Sequence, residues 1–133
     1  MKNAIATAIY TILKADTTLM AAITGVYHVI AKQTATFPYV SFGILTGIPM
    51  GTFASPRAID DTTWWFNVFS KTGSKNAGTI AGLLANVLDN ASLTVSGYSA
   101  LKCTYEFTGS DIYDPETEVY QIPLRYRVWV DKN

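Results

Sequence analysis

Between Glu118 and Val130 every second side chain is large and apolar: Ile122, Leu124, Tyr126, Val128 and Val130 alternate with Gln121, Arg125, Arg127 and Trp129. Only an extended strand places a period of two on one face, so this segment demands a long strand with one side in a core. The same alternation recurs in Asp61–Lys71, where Trp64, Phe66 and Val68 oppose Trp65, Asn67 and Phe69. It recurs again in Phe37–Gly47, with Val40, Phe42 and Ile44 against Tyr39, Ser41, Gly43 and Leu45. In Tyr98–Thr108 the expected core face is Leu101, Cys103, Tyr105 and Phe107, against Lys102, Thr104 and Glu106. A short, mixed strand is expected over Val26–Ala31.

Two segments carry the other period. Ile5, Ala8, Ile9, Ile12 and Leu13 repeat at helical spacing, which predicts an amphipathic helix over 3–15. Asp16 is placed to cap a short second helical stretch, Thr17–Ile23, ended by Gly25. Ile80, Leu83, Leu84, Val87 and Leu88 form the stripe of a second long helix, about 75–90, after a Thr72-Gly73-Ser74 turn in which Ser74 is a suitable N-cap. The order α-β-β-β-α-β-β predicts one α+β domain over 1–133: a mainly antiparallel sheet of four to five strands with two helices packed on one face.

That layering leaves the second sheet face bare. It carries Tyr39, Leu45, Trp65, Phe69 and Trp129 among Lys102, Glu106, Arg125 and Arg127. Leaving such side chains wet forfeits roughly 1.5–3 kcal/mol each relative to burial. Tyr, Trp and Arg are also the residues that dominate interface hot spots. Composition agrees: 15% of the 133 residues are charged, well under the roughly 25% of an average soluble domain. A partner surface is therefore expected over Tyr39, Leu45, Trp65, Phe69, Arg125, Arg127 and Trp129. Ten Lys+Arg against ten Asp+Glu give no net charge, which argues against specific nucleic-acid binding.

Chemistry is sparse by comparison. Catalysis needs oriented partners, and His28 is the only histidine. Cys103 is the only cysteine, mid-strand among core positions, so an intramolecular disulfide is impossible and the residue reads as a small hydrophobe. Asp111, Asp114, Glu116 and Glu118 lack the spacing and central glycine of a calcium loop, and Pro115 interrupts them; they read as a solvated hairpin tip that would meet a basic partner. Gly73-Ser74-Lys75 lacks the order of a phosphate-binding loop. No metal or cofactor is expected. Residues 48–61 hold two prolines and no periodicity and read as a long loop that orders against a partner, with Met50, Phe53, Arg57, Asp60 and Asp61 as its candidate contacts. The apolar N-terminal stretch is broken by Thr7 and Thr11 and followed at once by Lys14 and Asp16, so neither a signal peptide nor a membrane span is expected, and synthesis in the cytoplasm is.

The order of these features resembles the small tail-terminator, or tail-completion, proteins of long-tailed bacteriophages and related prophages. The matching residues are Leu13-Lys14-Ala15-Asp16 with Leu19, Phe37-Pro38-Tyr39-Val40, Trp65-Phe66-Asn67-Val68-Phe69-Ser70 feeding an Ala-rich helix that ends in Val87-Leu88-Asp89, and Leu93 to Gly97 leading into two closing strands joined by Asp111–Glu118. The resemblance implies a helices-on-sheet subunit that assembles as a homo-oligomeric ring, typically of six, at the head-proximal end of the tail tube. Such a ring stops tube polymerisation, docks the head connector, and lets DNA pass through its lumen. The tail tube protein and the connector would be its partners, the sheet face would pack subunit to subunit, and the segments 48–61 and 110–118 would face tube, connector or lumen. Competing expectations are a head-closure or tube protein of the same machine, and a small α+β enzyme or ligand-binding domain in which His28 and Cys103, or the carboxylates, converge in a cleft.

Overall fold

The computed structural model describes residues 2–29, 36–50, 59–89, 93–95, 97–109 and 111–132. In chain order the elements are α1 (Lys2–Ala15), α2 (Thr17–Ala22), β1 (Val26–His28), β2 (Tyr39–Met50), β3 (Ile59–Ser70), α3 (Ser74–Leu88), β4 (Tyr98–Thr108), β5 (Ile112–Asp114) and β6 (Val119–Lys132). The strands form one six-stranded sheet in the order β1-β2-β3-β6-β4, with β5 also on β6. The architecture is α+β as expected, but the sheet has six strands rather than four to five and there are three helices rather than two. All pairs are antiparallel except β1–β2, where Val26–His28 runs parallel to Val40–Phe42.

The two longest alternating segments are the central strands. In β3 and β6, Trp64, Phe66, Val68, Ile122, Leu124, Tyr126, Val128 and Val130 are all buried, so the predicted faces are correct. From β2, Phe42 stacks on Phe66 at 5.7 Å, and Phe66 meets Tyr126 edge-on at 5.4 Å. Ile5, Ile9 and Leu13 of α1, Leu19 of α2, and Ile80, Leu84 and Leu88 of α3 close over this face and belong to the same core. Trp64 Nε1 donates to Thr62 Oγ1 (2.9 Å), whose hydroxyl donates to the Val128 carbonyl (2.7 Å). A buried indole and a buried hydroxyl thus satisfy each other, as interior polar groups must.

The threonines that interrupt the apolar N-terminal stretch lie on the exposed side of α1. There Thr7 and Thr11 donate to the carbonyls four residues back, Asn3 and Thr7. Asp16 caps α2 as predicted: its backbone is extended (ψ 109°) and its Oδ1 accepts from Leu19 N–H at 2.8 Å. Asp16→Ala is expected to lower the unfolding free energy by about 1 kcal/mol, read as a shifted urea midpoint with an unchanged slope. Gly25 does not end that helix. The chain leaves it at Ile23 in extended backbone, with Ile23 N–H bonded to Leu19 C=O. Nor does Ser74 cap α3: Gly73, at φ 154°, takes that position, and the Ser74 hydroxyl reaches the Asp111 carboxylate instead.

The largest correction concerns 48–61. Strand β2 runs to Met50 and β3 begins at Ile59, with Pro49 paired to Asp60 and Met50 to Ile59. A β-bulge between Ile44 and Thr46 explains the missing periodicity, because one extra residue inverts the phase of everything beyond it. Phe53 and Arg57 lie outside the described residues, as does the side chain of Met50. Strand β4 carries two further register shifts, at Ala100/Lys102 and Tyr105/Phe107. Cys103 is buried as expected, whereas Tyr105 is exposed; the side chains of Leu101, Lys102 and Phe107 are outside the described residues. The acidic segment is a partly ordered hairpin: β5 pairs with β6, and Asp111, Asp114, Glu116 and Glu118 are all exposed.

Candidate docking face

Because α1, α2 and α3 share one side, no helix among the described residues covers the other side of the sheet. Tyr39, Trp65, Phe69, Arg125, Arg127 and Trp129 all stand on it, each half-buried by its neighbours. In register, Tyr39 faces Phe69, Gly43 faces Trp65, Trp65 faces Arg125, and Asp61 faces Trp129. The predicted face is therefore one contiguous surface. Tyr39 and Phe69 pack as tilted rings at 5.0 Å, with Phe37 at 5.0 Å and Tyr27 edge-on at 5.7 Å from Tyr39. Trp65 lies flat across β2, and a Cβ on Gly43 would stand 2.6 Å from its Cζ2. Glycine at 43 is what lets the indole lie down on the sheet.

The bulge moves Leu45 out of ladder register, although it remains exposed. Beyond it the phase inverts, so Ile48, opposite Asp61 and 55% exposed, joins this face. Sequence reasoning missed Ile48 because it sat in the supposed loop. It also misplaced Asp60 and Asp61, which are strand residues buried at 2% and 7% exposure rather than loop contacts. Arg127 Nη2 pairs with Asp61 Oδ2 at 2.5 Å, and Arg127 Nε stands 3.7 Å from Glu106 Oε2. Gln121 Nε2 donates to Asn67 Oδ1 at 2.9 Å near the other end of the face.

Two hollows flank the sheet. One, of about 360 Å³, opens on the docking face between Phe37, Tyr39, Phe69, Lys71 and the β5 hairpin; Lys71 Nζ rests 5.0 Å from the Phe37 ring centre. The other, of about 540 Å³, lies between the Gly78–Gly82–Ala85 side of α3 and Tyr105 of β4. His28 and Cys103 do not converge: one is on β1 and the other on β4, the two ends of the strand order. Four strand spacings separate them, about 19 Å. Among the described residues no group of three His, Cys, Asp or Glu side chains is arranged to hold a metal, and no helix is long and apolar enough to cross a membrane.

Burial, with the Asp89 carboxylate second, pushes the Cys103 thiol up to about 12 from its ordinary 9.0. Burial likewise raises the Tyr126 phenol, helped by Asp89, Cys103 and Tyr105. Both groups stay protonated in the fold at pH values where the unfolded chain ionises. Their stabilisation is thus intact below about pH 9 and is lost as pH climbs toward 12. Urea midpoints are expected to fall steadily from pH 8 to pH 11, less steeply in Cys103→Ala, and folded protein should resist thiol alkylation at neutral pH.

Comparison with known proteins bears on this surface. The model of the family described as tail completion protein gp17 matches residues 7–131. Among solved structures, a chain in the virion of a native gene transfer agent particle superposes with TM-score 0.82 at 20% identity, over 94% of this chain and 92% of that one. The gp17 protein of bacteriophage SPP1 superposes with TM-score 0.63 at 22% identity, over 98% of this chain and 90% of that one. At such identities these two show a shared fold. No curated protein matches the sequence. With a family match running from the first helix to the last strand, the chain belongs to the tail completion protein gp17 family and is a structural protein of a phage-type tail.

Proposed function

We propose that this protein closes into a homo-oligomeric ring, of six copies, at the head-proximal end of a tail tube, where it ends tube polymerisation and offers the docking surface for the head connector. The observation that carries this reading is the open sheet face. Trp65, Phe69, Trp129 and Tyr39 form a continuous aromatic surface flanked by Arg125 and Arg127, with no helix over it among the described residues. Such a face is stable in water only at a cost, and a neighbouring subunit removes that cost. A ring of more than two copies uses a heterologous contact, so each copy meets the next through a different patch. The exposed β5 hairpin with Asp111, Asp114 and Glu116 is suited to a basic surface on tube or connector; the segment beyond Met50, with Phe53 and Arg57, would be a second contact. The lumen would pass DNA without reading its sequence, in keeping with a chain of zero net charge.

Native mass spectrometry over a concentration series tests the ring. A single closed species near six subunits supports it; a strict dimer at every concentration overturns it, because a self-complementary contact closes at two. Added to growing tubes of the cognate tube protein, the ring should arrest elongation. Filaments of this chain alone would instead identify a tube subunit.

A further inference from the structure

The hollow on the open face has an aromatic side and an acidic side. Phe37, Tyr39 and Phe69 form the first; Ile112 and Asp114 of β5, with Thr117 and Val119, form the second. Its volume of about 360 Å³ suits one apolar group with a polar end. Lys71 stands over Phe37, while Asp114 lies on the hairpin side, where Asp111, Glu116 and Glu118 are also exposed. Arg125, the next cation on this face, is four residues along β6 from Gln121, about 13 Å away. With both cations counted, the surroundings of the hollow remain net acidic.

The outer stripe of α1 is its complement. Tyr10 is 42% exposed, and Lys14, one turn on, holds its Nζ 5.8 Å from the phenol ring centre. The three helices carry Lys2, Lys14 and Lys75 and no carboxylate; Asp16, the acid nearest Lys14 in sequence, has Oδ1 committed to Leu19 N–H. Thr7 and Thr11 turn their hydroxyls back onto helix carbonyls, so the stripe can lose water without orphaning those donors. The other large exposed apolar side chains are less suited. Leu45 and Ile48 belong to β2, and Ile112 and Tyr113 to β5, strands of the hollow's own face, whereas a heterologous contact draws on a different patch. Among the described residues off that face, Tyr10 alone has a cation resting on its ring.

We infer that the hollow is the socket for Tyr10 of a second copy of this chain, with Lys14 of that copy set against Asp114. The inference rests on the ring reading above and names the second patch of its contact. The phenol adds to the Phe37–Tyr39–Phe69 cluster, where edge-to-face contact with aromatic rings is available. Lys14 follows it to the acidic side, and Lys71 keeps its place on Phe37. All of these groups are reached from solvent in the single chain, so the socket is open before the neighbour arrives.

Tyr10→Ala, Lys14→Glu and Asp114→Lys each alter an exposed side chain, and far-UV circular dichroism should confirm that each variant folds. By native mass spectrometry, Tyr10→Ala is expected to raise the concentration at which the ring half-dissociates about tenfold or more. Lys14→Glu and Asp114→Lys should each raise it about threefold, and combining them, which restores opposite charges across the contact, should recover most of the loss. Tyr10→Ala as tight as the unaltered protein, or a double variant as weak as the two losses added, overturns the inference. Trp65→Glu separates the two readings. A ring that survives it overturns the reading beneath; a ring that it dissolves but Tyr10→Ala leaves intact overturns the socket alone. A second measurement uses the unaltered sequence. Nitrogen-15-labelled and unlabelled chains are mixed near the assembly midpoint and treated with a zero-length carbodiimide. Peptides joining Lys14 of one isotope to Asp114 of the other are expected, and their absence overturns the inference.

Discussion

Trp65→Glu is expected to convert the proposed ring to folded monomer. The indole lies over Gly43 and is only half-buried within the subunit, so the strand survives its loss. What changes is the outward surface: a large flat hydrophobe becomes a carboxylate in the middle of the aromatic face. Truncation of a central tryptophan at an interface costs about 2–4 kcal/mol, and desolvating the new carboxylate adds to that. Each contact should therefore weaken about 30- to 1,000-fold, with every subunit of a ring losing two contacts at once. Native mass spectrometry should show monomer where the original shows ring, while far-UV circular dichroism and the urea midpoint stay within error. Trp129→Glu should behave alike. A ring that persists in both variants would place the subunit contact elsewhere.

Trp64→Ala, one residue away, should do the opposite: unfold the subunit. Trp64 is fully buried, 6.2 Å from the Phe42 ring centre, and its Nε1–H supplies the hydrogen bond that Thr62 Oγ1 accepts. Removing a buried indole of this size costs about 3–5 kcal/mol when the surroundings cannot collapse. Here they cannot collapse easily, because Thr62 is held to Val128 C=O from the neighbouring strand. For a domain whose whole stability is about 5–15 kcal/mol, that loss puts the chain near its folding limit. Thermal denaturation should show a midpoint lowered by about 10 °C or more. The contrast between the two adjacent tryptophans is the sharpest test of which sheet face is core.

Alternation made that contrast legible without coordinates. Residues 64–69 and 121–130 keep an unbroken period of two, and one such strand determines the face of its neighbours. Legibility stopped where the period did. The extra residue at the Ile44/Thr46 bulge moved Ile48 onto the open face, and Pro49 gave the far half of β2 the look of a loop. Asp60 and Asp61 read as exposed because two adjacent carboxylates usually are; only tertiary pairing with Arg127 shows how Asp61 is accommodated. Ser74 was a sound cap by local chemistry, but Asp111, distant in sequence, claims its hydroxyl. The parallel pairing of β1 with β2 leaves no local signature at all, since it depends on where α2 releases the chain.

The irregular edges of the sheet have a consequence for how copies of this chain can meet. β4, which closes one side, is kinked twice, and β2, beyond its three residues of contact with β1, carries a bulge and then Pro49, which has no N–H to give. Bulges and an edge proline are the devices by which proteins spoil a strand as a template for further strands. In the ring proposed above, ordered copies of one chain stand side by side, where one regular edge would seed lateral growth. With both rims roughened, the contacts of that proposed ring are left to side chains on the open face rather than to strand pairing.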